Sequence, residues 1–180
     1  MKDNKQDKPS FWTSEKLLSL AALFTSVCTL IVFSYQTALI RKQQYTSVLP
    51  YLEMGHYYSY SINYCYKIKN NGIGPAILKK VEITNKEGKV FEDLVDYLAY
   101  EIEKVKDTVH INYSNLRVGQ LIPENSEIDI IKFNGTNQKE ATKLRSYFKL
   151  EKVEIVYEYE SVYGERWRIR NGEKVPEKLK

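Results

Sequence analysis

The chain has 180 residues and a net charge of +4, from 27 Lys and Arg against 23 Asp and Glu. That balance is too even for a nucleic-acid binder, and 8 Gly and 5 Pro are too few for a collagen-like or low-complexity chain. Two Cys and two His exclude a disulfide scaffold and a four-thiolate zinc site, and they leave most nucleophile–base chemistries without parts. With 43% apolar and 28% charged residues the composition is globular, and its 15 Tyr suit half-buried strands.

Leu17–Ile40 runs 24 residues without a charge, between Lys16 and Arg41. As a helix it would measure about 36 Å, enough to cross a hydrocarbon core of about 30 Å with some tilt. Its Ser and Thr hydroxyls can bond to helix carbonyls, so they do not disqualify it. A cleaved signal peptide would have a shorter apolar region and a small-x-small cleavage site, and Gln36-Thr37-Ala38 is a poor one. The expectation is an uncleaved single-pass anchor holding the bilayer through residues 17–40. Lys2, Lys5, Lys8 and Lys16 precede it, while only Arg41 and Lys42 follow closely. That asymmetry puts the N-terminus in the cytoplasm and the C-terminal domain outside the inner membrane.

Arg41–Val48 reads as a helical stalk stopped by Pro50, because the residue before a proline is driven toward extended conformations. Tyr51–Met54 reads as a short strand. Tyr58, Tyr60, Ile62, Tyr64, Tyr66 and Ile68 alternate with polar or small residues, which predicts one long strand over Tyr58–Lys69. Asn70-Asn71-Gly72-Ile73-Gly74-Pro75 ends it with three kinds of turn residue. A strand over Ala76–Thr84 follows. Phe91, Leu94, Val95, Leu98, Ile102 and Val105 then fall at helical spacing, with acidic residues in the first turn and lysines in the last.

Val109, Ile111 and Tyr113 alternate again, as do residues around Leu116–Ile122. A turn at Pro123-Glu124-Asn125-Ser126 precedes a strand over Glu127–Phe133. Asn137 and Glu140 have capping-box spacing before a second short helix. Strands over Glu151–Glu160 and Glu165–Arg170 end the fold. A three-residue loop, Val162-Tyr163-Gly164, would set Glu160 opposite Arg166, Glu158 opposite Arg168, Tyr159 opposite Trp167 and Tyr157 opposite Ile169.

The organisation expected is a leader over 1–16, the span over 17–40, a stalk over 41–49, a β-sandwich over 50–171 and a flexible tail over 172–180. The fold class is mainly β, an immunoglobulin-like sandwich of seven or eight strands with two short helices; a small β-barrel is the alternative. The Asn70-Asn71-Gly72-Ile73-Gly74-Pro75-Ala76 turn, with the closing Tyr159-Glu160-Ser161-Val162-Tyr163-Gly164-Glu165-Arg166-Trp167, resembles a loose group of small uncharacterised bacterial single-pass membrane proteins. Their β-sandwich carries an N-x-G-x-G-P-A turn. The resemblance implies architecture and brings no catalytic residue, cofactor or metal.

Candidate chemistry is sparse. His56 and His110 lack metal-ligand spacing and read as surface histidines. Cys65 lies on the strand face opposite the tyrosine row, a small residue on a covered face unless it bridges two chains; Cys28 is inside the span. Glu154, Glu158 and Glu160 share a face that nothing buries, so they read as solvated rather than as a glycosidase pair. Trp167 points away from Arg166, Arg168 and Arg170, which favours cross-strand ion pairing over single-strand nucleic-acid binding. Gly72 and Gly74 lack the following Lys-Ser/Thr and helix of a phosphate loop.

The functional expectation is a non-catalytic module for binding or assembly, with a protein partner or self-association and no nucleic acid. A second reading is a membrane effector of a bacterial defence or toxin system. In it the β-domain senses a ligand, and the anchors associate through Ala21, Ala22 and Ser26. An anchored hydrolase ranks last.

Overall fold

The computed structural model describes residues 13–105 and 108–179. The chain divides into two units, residues 1–44 and 45–180. The first is built on helix α1, Ser14–Thr46, with no buried residue along its 33 residues. Ser19, Thr25, Ser26, Thr29, Ser34 and Thr37 each donate a hydroxyl hydrogen bond of 2.8–2.9 Å to the carbonyl four residues back. Those bonds satisfy the polar groups within the helix itself. It is long and apolar enough to cross a membrane. It also absorbs the expected stalk as far as Thr46. The first twelve residues of the expected leader lie outside the described residues.

The second unit follows in the order β1 Leu52–Tyr57, β2 Cys65–Asn70, β3 Ala76–Asn85, β4 Val90–Phe91, α2 Leu94–Lys104, β5 Ile111–Tyr113, β6 Leu121–Ile122, β7 Glu127–Phe133, α3 Gln138–Tyr147, β8 Val153–Glu160, β9 Arg166–Arg170 and β10 Glu177–Lys178. One antiparallel sheet has the order β1-β2-β7-β5; the other has β10-β9-β8-β3-β4, with β6 paired to the start of β3. Leu52, Tyr66, Ile68 and Ile131 of the first sheet and Leu78, Ile155, Tyr157 and Ile169 of the second share one buried core. Two separate sheets make the architecture sandwich-like and set the barrel aside.

Three expectations change. The chain is mixed α and β rather than mainly β, because helical residues are about as numerous as strand residues. Among the described residues there are ten strands, not seven or eight: β4 takes Phe91 from the expected helical stripe, β6 is the end of the alternating run read around Leu116–Ile122, and β10 forms in the expected tail. The expected long strand is broken as well. β1 runs on to Tyr57, which pairs with Cys65, so the chain must reverse between them. Ser61 N donates to the Tyr58 carbonyl (3.0 Å) and Tyr64 N to that of Ser61 (3.1 Å), while Tyr58 takes φ 52°. Tyr64, Tyr66 and Ile68 reach the core; Tyr58, Tyr60 and Ile62 are left exposed.

Both domain helices are capped, α3 at the residue its sequence calls for and α2 at Asp93, which the sequence reading set inside the first turn. Asp93 accepts from Val95 N and Asp96 N at the start of α2, which begins after Phe91 because that residue pairs in β4. Asn137 accepts from Lys139 N and donates its side-chain amide to Glu140 at the start of α3. Leu94, Tyr97 and Leu98 of α2 and Ala141, Leu144 and Tyr147 of α3 are the buried stripes.

The turn after β2 is the tightest construction in the domain. Asn70 is fully buried. Its side-chain oxygen accepts from Tyr51 N (3.1 Å) and Gly72 N (3.0 Å). Its amide donates to the carbonyls of Gly74 (2.8 Å), Ile122 (3.2 Å) and Pro123 (3.1 Å). One side chain thereby ties the incoming chain, the β2–β3 turn and the end of β6. Gly72 and Gly74 are required by close approach: a Cβ on Gly72 would overlap the backbone of Leu49–Tyr51, and one on Gly74 that of Val48.

Asn70→Ala is expected to cost about 3 kcal/mol, since it strands several buried backbone groups at once. Gly74→Ala should cost at least as much, whereas Gly55→Ala, where a Cβ meets nothing, should be neutral or stabilising by up to about 1 kcal/mol. Thermal unfolding of the full chain in detergent would check the ordering. A second pair of variants probes the core hydroxyls. Tyr97 donates to the Tyr147 carbonyl at 2.6 Å, while the buried Tyr66 hydroxyl has no hydrogen-bond partner among the described residues. Tyr97→Phe should destabilise by about 1 kcal/mol, and Tyr66→Phe should leave stability unchanged or raise it.

Candidate functional site

The closing hairpin adopts the expected register. Ser161 N bonds to the Glu165 carbonyl (2.9 Å), and Gly164 takes φ 82°, the left-handed conformation that the loop's third residue needs. Glu160 faces Arg166, Glu158 faces Arg168, Tyr159 faces Trp167 and Tyr157 faces Ile169. Trp167 is buried and stacks on Tyr159 with centroids 5.8 Å apart. On the outer face Glu160 meets Lys79 (2.8 Å) and Arg166 (3.8 Å), and Arg170 meets Glu154 (3.7 Å) and Glu173 (3.5 Å). Arg168 departs from expectation. Its closest carboxylate is Glu177 of β10 at 2.7 Å rather than Glu158, so part of the expected flexible tail is a strand that supplies an ion pair. That hydrogen bond holds the Glu177 carboxyl below the usual carboxylate range. The arginine row is neutralised from both sides.

The outer face of the other sheet is also internally paired. Lys67 is buried, with Nζ 3.1 Å from Glu127, 3.3 Å from Asp129 and 5.0 Å above the Tyr57 ring. Cys65 lies on the same face two residues away and is 2% exposed. Burial and the neighbouring Asp129 push its thiol up, which keeps it protonated and unreactive. A buried thiol cannot reach another chain, so the bridging role is not available to it. Cys28 is a free cysteine of α1.

His56 differs from its reading as a surface histidine. It stands at alternate positions with Leu52 and Met54, and β1 extends far enough to turn it inward. Its Nδ1 is 3.0 Å from the Tyr64 hydroxyl, and its ring meets that of Tyr66 edge-on at 5.1 Å. Burial, then the Arg145 charge, lower its pKa from 6.5 to about 4, so the imidazole is neutral near pH 7. It opens on a cleft of about 420 Å³ between β1 and the segments 148–151 and 171–174, where Glu53, Lys149, Glu173 and Lys174 stand at the wall. The signal for this placement was the period-two register; what hid it was the end of β1, which the sequence reading set at Met54.

His110 is exposed before β5 and accepts at its carbonyl from Asn134 N (2.9 Å). Among the described residues no three His, Cys, Asp or Glu side chains gather as metal ligands. Gly72 and Gly74 receive backbone rather than phosphate. The cleft offers a neutral imidazole, a phenol and charges of both signs to a polar ligand.

The lowered pKa of His56 has a definite sign in stability. Between pH 6.5 and about 4 the unfolded chain binds a proton that the folded imidazole refuses. The contribution is fully present above pH 6.5 and lost as pH falls through that window. It should amount to roughly 1–2 kcal/mol once solvent screening of this half-buried ring is allowed for. His56→Gln should flatten the stability–pH curve over that range, and parallel curves for the two proteins would contradict it.

No family model matches the chain, and comparison with the curated proteins and with the solved structures finds no match, so the functional reading rests on the geometry.

Proposed function

We propose that this protein is a single-pass membrane protein that displays a non-catalytic, immunoglobulin-like β-sandwich for binding or assembly. The observation that carries the domain reading is strand order. Assigning A, B, D and E to β1, β2, β5 and β7, and C, C′, F and G to β3, β4, β8 and β9, yields A-B-E-D in one sheet and G-F-C-C′ in the other. In place of an inter-sheet disulfide, Tyr66 stacks on Phe148 at 5.4 Å next to Tyr157. The role in recognition is supported by charged faces whose groups pair among themselves, and by the open cleft at His56.

The anchor reading is supported by an uncharged 24-residue run inside a helix with no buried residue. The four lysines before the run and the two basic residues after it favour a cytoplasmic N-terminus and an external domain.

The full chain should resist extraction by alkaline carbonate and have an intact mass that includes residue 1. A mass starting beyond residue 30 would mean that the segment is a removed signal peptide. A periplasm-active reporter fused after Lys180 should be active. An inactive reporter would place the domain in the cytoplasm and favour the effector reading, in which it senses an internal signal.

A further inference from the structure

The strand register collects three loops at one end of the domain. β1 starts opposite Asn70, β3 starts opposite Ile122, and Ile77 lies opposite Glu160. The β2–β3 turn, the loop that leaves β6 and the β8–β9 loop therefore share that end. The chain also arrives there, because Ile73 N bonds to the Leu49 carbonyl (3.1 Å) and Gly74 lies against Val48. Ile73 in the β2–β3 turn is 56% exposed, Val162 in the β8–β9 loop 50%, and Leu121, beside the start of β3, 49%.

We propose that this end is a second, shallow membrane contact, in which Ile73, Leu121 and Val162 enter the headgroup layer of the bilayer that α1 crosses. The inference rests on the membrane-anchored reading above. Chain length supplies the argument. Only eight residues lead from Ile40, the last of the uncharged run, to Val48, which the loop end holds. With α1 helical to Thr46, they reach at most about 16 Å, whatever the tilt of the helix. The loop end is thus leashed to the surface at an effective concentration in the millimolar range, and weak apolar contacts suffice to hold it. Apolar side chains presented at one end of the domain suit insertion among lipids.

The test uses the full chain in nanodiscs of phosphatidylethanolamine and phosphatidylglycerol, with Cys28→Ser and Cys65→Ala removing the native thiols. Single cysteines at Ile73, Val162, Glu87 and Leu30 carry an NBD fluorophore, and lipids spin-labelled near the headgroup act as quenchers. Glu87 reports the opposite end of the domain, and Leu30 reports the span. Quenching at Ile73 and Val162 at least twofold above that at Glu87 is the expected result. Equal quenching at Ile73, Val162 and Glu87, with Leu30 still quenched by deep-labelled lipids, would overturn this inference while leaving the anchor intact. A Leu30 probe untouched by any labelled lipid would remove the anchor reading itself. Protection of Ile73 from aqueous iodide without lipid quenching would point to a second copy and would also overturn the proposal.

Discussion

The domain depends on one buried carboxamide. A side chain sealed from water must satisfy both its oxygen and its nitrogen within the protein, and Asn70 does so with five backbone partners drawn from three segments. No other side chain of that length offers an acceptor and two donors at one branch point. Because those partners lie at Tyr51, Gly72, Gly74, Ile122 and Pro123, fixing Asn70 fixes where the chain enters the sandwich and how the first sheet hands over to the second. The glycines serve that arrangement by letting two backbones touch where any side chain would hold them apart.

Tyrosine carries the space between the sheets, and each ring brings a hydroxyl that has to be accounted for. Tyr97 spends its hydroxyl on the Tyr147 carbonyl and so locks α2 to the end of α3. Tyr159 receives the Leu52 N–H at 3.3 Å, which links β1 of one sheet to β8 of the other. Burial drives the phenols of Tyr64, Tyr66, Tyr97, Tyr157 and Tyr159 above their ordinary range, so these rings stay neutral at any physiological pH. A core of this kind tolerates polar atoms only where a carbonyl or amide has been brought to meet them. That requirement makes the helices α2 and α3 part of the sandwich rather than ornaments on it.

The outer faces follow a different rule. Rows of Glu and Arg or Lys lie across neighbouring strands and cancel one another, which removes both the paired-carboxylate and the anion-binding possibilities that the residues suggest one at a time. The cleft beside β1 and the apolar side chains where the chain arrives lie outside those rows. In a fold whose strands are spent on pairing, loops and edges are where recognition is expected.

The sequence by itself determined the features that are local in origin. An uncharged run of helical length, the cap at Asn137, the strands from Ala76 and over Glu127–Phe133, and the register of the closing hairpin all follow from neighbours within about ten residues. Tertiary structure decided the rest. Tyr58, Tyr60 and Ile62 have the same alternation as Tyr64, Tyr66 and Ile68, but the former are loop and the latter core, because only the pairing of Tyr57 with Cys65 says where the hairpin turns. Arg168 found Glu177 rather than the residue opposite because a tail without any periodic signal could still add a strand to an exposed edge. His56 became half-buried because β1 ran three residues beyond its last apolar side chain. Asn70 looks in the sequence like one more turn residue. Its partners at Ile122 and Pro123 lie some fifty positions away, and only packing the two sheets together brings those carbonyls to it.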